Sequence, residues 1–555
     1  MDASGNLPTL KDYNLIEPFS AFQNDTSFMS DLNRISTGRP EFDEFYPRIE
    51  SFLKKGTMDL VVDGVPIHGY RSPDCPALWL RDHSDMMRGF RHFEQDMTST
   101  VTHFAETQAM NGRVFDFFTD RPLATPTERE NWVKYVRVPV EADVEYRFVK
   151  AAFLAWQATG DDAWMVNLLP SLEAALNYIF THPWRWDEEH QLVKRPYTID
   201  SWDFAYTAGT HDWLQFQIDD NTFWGIMHGD NSGYYEACQL LSLAYSRLGN
   251  EPRASHWKQF ALGLKERMNK VCWNGDFYTH FAKLNPVEIP GLDEASQLSF
   301  SNAMNINRGV TSLSQARSIL QEYQNRKAAT GAFAEWFSID PGFPNGAFGE
   351  EKMVPGAYCN GGIMPLVGGE LARAYLESGF EETGVDTLRQ YHSMIQEKDE
   401  TFLWYFPDGT ASSIENSTSP DAMPTDGWGS SSMLHGFMEG LVGIQDQGRM
   451  LDAVRLCPRW SAAGLTTAEA SMGYEVSGAQ FAYNYEELAN EVELELRTQK
   501  SEVHLHLLLP HGASVNDVQL ANTSIPFQET EVGSSRYVDC ELSIDHGADV
   551  VVRFK

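Results

Sequence analysis

Three shortages narrow this chain before any motif is read. The first is of long apolar runs. Although 42% of the residues are hydrophobic, no window approaches the roughly 18 apolar residues that cross a bilayer. The second is of paired cysteines. Cys75, Cys238, Cys272, Cys359, Cys457 and Cys540 lie far apart with no Cys-x-x-Cys pair, which predicts free, mostly buried thiols rather than a disulfide framework or a zinc site. The third is of positive charge. Lys and Arg number 43 against 78 Asp and Glu, and a formal charge of −35 speaks against nucleic acid or an anionic membrane surface as a partner. It fits a charged, soluble exterior.

Several signatures are missing as well. There is no low-complexity tract, and no Gly-x-Ser-x-Gly, Walker A, dinucleotide glycine fingerprint or His-Glu-x-x-His occurs in a supporting context. Serine-nucleophile, nucleotide-binding and zinc-protease chemistry are therefore not expected. The first residues, MDASGNLPTLKDYNL, carry neither a basic segment nor an apolar one, so no signal peptide is expected and a cytoplasmic location is the default; a processed secreted form reads the same way.

What is present is length, aromatic rings and helical periodicity. At 555 residues the chain exceeds a single ordinary core. Aromatics reach 12%, with 15 Trp, a composition that favours flat-faced ligands such as carbohydrate. Residues 1–40 read as a polar arm. From 41 to 457 apolar residues recur at i, i+3, i+4 and i+7, most clearly over 144–158, 164–180, 234–248, 254–271, 315–323, 363–376 and 383–395. TGDDA (159–163) and GNEPRA (249–254) each place Gly at a helix end and an acidic or Pro-containing start next to it. Eleven or twelve helices with no strand–helix alternation predict helical hairpins set around an axis. The long Gly, Pro and aromatic connections between them are where function is expected. From 458 to 555, segments such as EVELELR (491–497) and YVDCELSI (537–544) predict a small all-β domain, a sandwich with no evident site of its own.

Five stretches can carry chemistry. KRPYTIDSWDFAYT (194–207) sets Asp200 and Asp203 among Tyr197, Trp202, Phe204 and Tyr206. A carboxyl between aromatic rings is poorly solvated and its pKa rises, as a general acid working near neutral pH requires. The structural alternative is a loop whose Asp residues cap turns. PALWLRDHSDMMRGF (76–90) offers Trp79, Arg81 and Asp82 as a sugar clamp, or a helix cap with an internal Arg–Asp pair. In YVRVPVEADVEYRF (135–148), Glu141 and Asp143 read as first-turn acids favoured by the helix dipole. Asp219, Asp220, Asp230 and Asn231 lack the spacing of a calcium loop, and no metal is expected there. Glu335 lies between Phe333 and Trp336, followed by the Asn360-Gly-Gly segment. Glu415 sits in a Ser-rich loop upstream of Trp428, solvated as a water-activating base should be.

These residues resemble a group of glycoside hydrolases. SWDFAYT (201–207) is similar to the trehalase segment whose Trp-Asp-Phe carries the general-acid Asp. The order of motifs after it, AYCNGGIMP (357–365), a Glu-bearing loop and DGWGSSS (426–432), resembles trehalases, processing α-glucosidase I and the glucosidase domain of glycogen debranching enzymes. WLRD (79–82) is similar to an Arg–Asp motif of several (α/α)6-barrel glycosidases.

The resemblance covers about residues 75–445. It implies a mainly α fold, an (α/α)6 toroid carrying a small C-terminal antiparallel β-sandwich. It also implies an exo-acting, inverting, α-glucosidase-like enzyme that needs no cofactor. Asp203 would be the general acid and Glu415 the base, with Glu335 in reserve because the usual Glu-aromatic-Asp/Asn wording is missing. Trp79, Arg81, Asp82, Trp202, Tyr206, Trp336, Asn360, Trp404 and Trp428 would line the sugar subsites. Other readings stay open: a glycoside phosphorylase, a sugar epimerase or isomerase using His83, His211 or His228, and a non-catalytic sugar-binding protein.

Overall fold

A computed structural model describes residues 32–71, 77–120, 134–202, 206, 218, 220–348, 351–413, 415–416 and 426–555. Its helices follow the apolar period closely. The segment expected at 144–158 is the Val144–Thr159 helix, and 164–180 lies within Asp162–Thr181. Between them Gly160 takes a left-handed φ of 69°, and Asp161 caps the second helix by accepting from the Trp164 N–H at 2.9 Å.

Six helices touch one another in a closed cycle: Leu80–Phe90, Val144–Thr159, His228–Arg247, Ser301–Asn307, Pro365–Glu377 and Gly427–His435, the last returning to the first. A second set packs on their outside. Asp162–Thr181 lies on Val144–Thr159, Glu251–Cys272 on His228–Arg247, Glu381–Lys398 on Pro365–Glu377, and Phe45–Leu53 on Gly427–His435. Neighbouring helices of the cycle approach closely where one has no side chain. A Cβ on Gly369 would stand 2.2 Å from the Ser432 carbonyl carbon, and one on Gly233 would stand 2.4 Å from the Tyr146 ring. Buried on all sides, the Val144–Thr159 helix hides even Glu145 and Arg147.

The expected class, a mainly α toroid with one small antiparallel sandwich, is corrected by the sheets. Of the described residues, 40% are helical and 24% strand. A seven-stranded sheet begins with Arg34–Ser36, near the start of the chain, paired antiparallel to Thr467–Tyr474. A five-stranded sheet draws in Ile444–Asp446 and Ala453–Leu456, and the latter runs parallel to Ser501–Leu508. Four smaller sheets sit in the connections between helices, built from strands of two to six residues. Strands so short leave no period in the sequence. The long C-terminal strands do: Glu491–Thr498 alternates buried and exposed residues as a half-buried strand must. No described helix is long and apolar enough to cross a membrane. The five described cysteines are all free and buried.

Candidate active site

The first turns of the cycle's helices converge, and each helix brings its positive dipole end. Carboxylates gather there, interleaved with guanidinium groups. Arg81, in the first turn of Leu80–Phe90, is the hub. Its Nε and Nη2 donate to both oxygens of Asp143 at 2.7 and 2.9 Å, and Nη2 also donates to Glu141 at 2.6 Å. A buried guanidinium needs such partners, and the planar fork matches a carboxylate edge to edge. Arg147 donates to Asp85 at 2.6 Å, and Asp85 also accepts from the Trp428 indole N–H at 2.9 Å. Arg195 pairs with Asp230 at 3.3 Å and donates to the Trp202 carbonyl at 2.7 Å.

The charges set one another's protonation. Burial would raise the Asp143 pKa, but Arg81, then Arg147 and Arg195, hold it well below the usual carboxylate range. Asp230 goes the other way, to about 6, because burial outweighs Arg195 and the Asp143 and Asp200 charges add to it. Asp116, fully buried, is raised well above its ordinary value by burial and by Glu141 facing it.

Aromatic rings wall this cluster. Trp202 meets Trp428 edge-on, with centroids 5.3 Å apart, and tilts against Tyr358 at 5.0 Å. Among the described residues its indole N–H meets no acceptor. Asp426 holds the Trp428 backbone in place, accepting from the N–H groups of Trp428 and Gly429 at 2.9 and 2.8 Å. Trp79 lies half-buried against Phe117, with centroids 4.0 Å apart.

The structure thus gathers Arg81, Trp202 and Trp428 into one site through Asp85, Asp143 and Arg195, with Asp82 buried on the same turn. Arg81 does not close an internal pair with Asp82, and no side chain caps its helix, since the Ser84 hydroxyl donates to the Arg81 carbonyl instead. Asp203 lies outside the described residues. Asp200 is described and is structural: its carboxylate accepts from the Ser301 N–H and hydroxyl at the start of Ser301–Asn307. Glu415 is exposed, and the Ser413 hydroxyl holds its pKa below the ordinary value.

Other candidates go to packing. Glu335 pairs with Lys327 at 2.9 Å, on the outer Leu313–Thr330 helix. Trp336 is fully buried against Gly368, and Trp404 is buried against Phe406. Tyr206 is buried beside Tyr197, Phe223 and Phe348. Asn360 clamps a loop, accepting from the Phe343 N–H at 2.6 Å and donating to the Phe343 and Met353 carbonyls. Glu141 and Asp143, read as ordinary first-turn acids, are Arg81's partners, 60 and 62 positions along the chain, a separation that no local pattern signals.

Beneath the cluster a cavity of about 30 Å³, room for a single water, is lined by Asp85, Arg88, Lys150, Glu236, Arg308 and Glu370, among others. A larger hollow of about 520 Å³ lies elsewhere, on the seven-stranded sheet among Glu469, Glu486, Glu493 and Glu495. The convergent polar and aromatic groups around Arg81 are the better site, because volume alone carries no chemistry.

No protein-family model and no curated protein matches the sequence. Solved structures match the fold. The α-L-rhamnosidase from Dictyoglumus thermophilum superposes with a TM-score of 0.59 and 12% identity, over 94% of this chain and 50% of that one. The GH63 mannosylglycerate hydrolase from Thermus thermophilus, in complex with Tris, gives 0.50 and 12%, over 71% of this chain and 99% of that one. A sialidase gives 0.54 and 11%, over 82% and 38%. This chain spans about half the length of the rhamnosidase. Likeness at these identities is a likeness of fold. The neighbours named here are a rhamnosidase, a mannosylglycerate hydrolase and a sialidase, so they support the fold that the resemblance implies and leave its assignment to trehalases, α-glucosidase I or debranching enzymes without support of its own.

Proposed function

We propose that the protein is an exo-acting glycoside hydrolase, using Asp203 as general acid and Glu415 as general base. The observation that carries this is the seat of Trp202. It fixes the chain one residue before Asp203 against Trp428, whose indole is bound to the carboxylate cluster around Arg81. Asp203 protonates the departing glycosidic oxygen as the C–O bond breaks. Water attacks the anomeric carbon from the opposite face and gives its proton to Glu415. Glu415 is exposed, where water can reach its carboxylate. Inversion follows if the carboxyls stand roughly 6.5–9.5 Å apart in the complex. Arg81, Asp82, Trp79, Trp202 and Trp428 are the proposed sugar contacts.

The sugar is a further proposal. An α-glucoside is the expectation from the motifs, while the fold is shared with proteins named for rhamnosides and mannosylglycerate. A saccharide is the proposed partner, with neither nucleic acid nor membrane. An epimerase would need a titrating His pair, and of its three candidates His211 lies outside the described residues. His83, however, stacks on Tyr70 with its pKa pushed down to about 3 by burial, and burial likewise lowers that of His228, between Ser299 and Asn305, to about 4.

The test is hydrolysis of α-glucosides, α-L-rhamnosides and mannosylglycerate by wild type, Asp203→Asn and Glu415→Gln, with the first-formed anomer followed by NMR. Loss of about 10²-fold or more in both folded variants, with an inverted first product, is expected. An active Asp203→Asn overturns the assignment. Turnover that requires added phosphate makes the enzyme a phosphorylase.

A further inference from the structure

The five-stranded sheet carries a second cluster, unconnected with the proposed hydrolysis. Val503, Leu505 and Leu507 are fully buried, so His504 and His506 share the opposite face of the Ser501–Leu508 strand. Directly across the antiparallel ladder stand Glu541, opposite His504, and Asp539, opposite His506. Both imidazoles reach the same carboxylate oxygen. His506 Nδ1 lies 2.5 Å from Asp539 Oδ1, and His504 Nε2 lies 3.3 Å from it. The remaining nitrogen of His504, Nδ1, lies 2.7 Å from Glu541 Oε1.

That arrangement is short of protons. A neutral imidazole has one N–H, yet both nitrogens of His504 face carboxylates, which only accept. If Nδ1–H donates to Glu541, the Nε2 lone pair points at Asp539. Either a second proton or a cation resolves the conflict. A metal ion does so while Glu541 keeps its bond to Nδ1, because a carboxylate on the far nitrogen is the usual device that fixes the tautomer and orientation of a ligating His. The Thr530 hydroxyl meanwhile donates to the other Asp539 oxygen, leaving Oδ1 for the centre.

We propose that His504, His506 and Asp539 bind one divalent transition-metal ion of the Zn²⁺ class, with Glu541 and Thr530 orienting the ligands from behind. The three ligand atoms lie within 4.8 Å of one another. Tetrahedral bonds of about 2.0–2.1 Å need them about 3.3 Å apart, a small adjustment for side chains at a sheet surface. Two imidazoles and a carboxylate with room for water select Zn²⁺, Co²⁺ or Ni²⁺ over Ca²⁺ or Mg²⁺. His506 is buried, with Nδ1 already turned towards Asp539 Oδ1 at the centre of the cluster; the nearest cation outside the cluster is Arg455. The Arg455 charge does not stand alone against the ion, because Glu377 holds that guanidinium at 3.0 Å. Tyr537 stacks on His506 at 4.0 Å, nearly parallel, and donates through its hydroxyl to Glu381 at the start of Glu381–Lys398. Metal binding therefore stiffens the seam between sheet and helices.

The full chain, freed of metal by a chelator, is titrated with Co²⁺ by visible absorption and with Zn²⁺ by calorimetry. One ion per chain is expected. His504→Gln and Asp539→Asn should each weaken Zn²⁺ binding by more than tenfold and abolish the Co²⁺ spectrum, and Glu541→Gln should weaken it by about tenfold. His511→Gln, at an exposed position in the adjoining turn, should bind as wild type does. His504 is 40% exposed, so its replacement leaves the core intact even if Asp539→Asn disturbs the sheet. The proposal is overturned if wild type takes up no Zn²⁺ below about 100 µM. It is equally overturned if His504→Gln binds as tightly as wild type, which would leave a protonated His504 bridging two carboxylates as the whole meaning of the cluster.

Discussion

Replacing Arg81 by Met would test whether the carboxylate cluster is held by charge. The substitution keeps most of the side-chain volume and removes the guanidinium. Glu141 and Asp143, both with fully buried side chains, would lose three hydrogen bonds of 2.6–2.9 Å. Charge-assisted bonds contribute about 1.5–3 kcal/mol each in isolation. They do not add here, because the three share one guanidinium and Arg147 remains 3.6 Å from Asp143. Breaking a buried ion pair by removing one partner costs about 3–5 kcal/mol, and that is the expected loss at pH 7 in urea unfolding followed by circular dichroism.

The pH dependence is the sharper check. Asp143 has its pKa depressed in the folded protein, so its contribution is present above the unfolded value of about 4 and is lost as pH falls. The variant lacks most of that contribution and gains from protonating the stranded carboxyls. The gap between the two proteins should therefore be widest at neutral pH and narrow towards pH 4. Arg39→Met, at an exposed ion pair, is the control and should cost less than about 1 kcal/mol. A loss below about 1 kcal/mol for Arg81→Met, or a gap that widens on acidification, would refute the idea that Arg81 neutralises this cluster.

Two further outcomes are open to direct measurement. Asp426→Ala removes the acceptor for two N–H groups at the start of Gly427–His435; it should cost about 1–2 kcal/mol of stability, and Asp426→Asn should recover most of it. Because Trp428 rides on that turn, the alanine variant should also shift Trp fluorescence. His68, between Glu94 at 3.0 Å and Asp59 at 2.7 Å, has its pKa raised to about 9, chiefly by Glu94 and against the opposing effect of burial. Its charged form stabilises the fold fully below the unfolded value of about 6.5, and the contribution is lost as pH rises through 9. Wild type should then exceed His68→Gln in thermal midpoint at pH 6, with the difference gone by about pH 10; a difference that grows with pH would contradict the pairing.

The helices were legible because a 3.6-residue period persists over four or five turns, and the C-terminal strands because alternation persists over eight residues. The Leu78–Trp79, Phe117–Phe118 and Tyr135–Val136 strands are too short to show any period, and only the folded chain reveals their pairing. The Arg34–Ser36 strand failed to register for another reason: its partner lies in a distant part of the sequence, and local pattern carries no information about it. Within the site, Arg81, Trp202 and Trp428, all offered as sugar contacts from the sequence, lie in one cluster in the folded chain. Trp336, Trp404 and Asn360 were not separable from them, since an aromatic ring or an amide in a Gly-rich loop looks the same whether it meets a ligand or a neighbouring loop. Glu141 and Asp143 were undervalued because the helix dipole already explained them locally.

The pairing of Arg34–Ser36 with Thr467–Tyr474 also has a kinetic consequence. The Arg34 N–H donates to the Ser471 hydroxyl across 437 positions of sequence. Closing so long a loop costs about 5 kcal/mol of chain entropy by logarithmic scaling, a cost met late in folding because few local contacts precede it. The helix cycle has the same property: Gly427–His435 must arrive before Leu80–Phe90 and Phe45–Leu53 have their last neighbour. On the ribosome, then, the first half of the chain waits for the second. Until residue 435 has emerged, Asp85 lacks the indole of Trp428, and the buried charges around Arg81 stay open to water. What the waiting half leaves uncovered at that seam is therefore mixed, the ions around Arg81 beside the apolar Leu53 and Met86 against which Gly427 later packs.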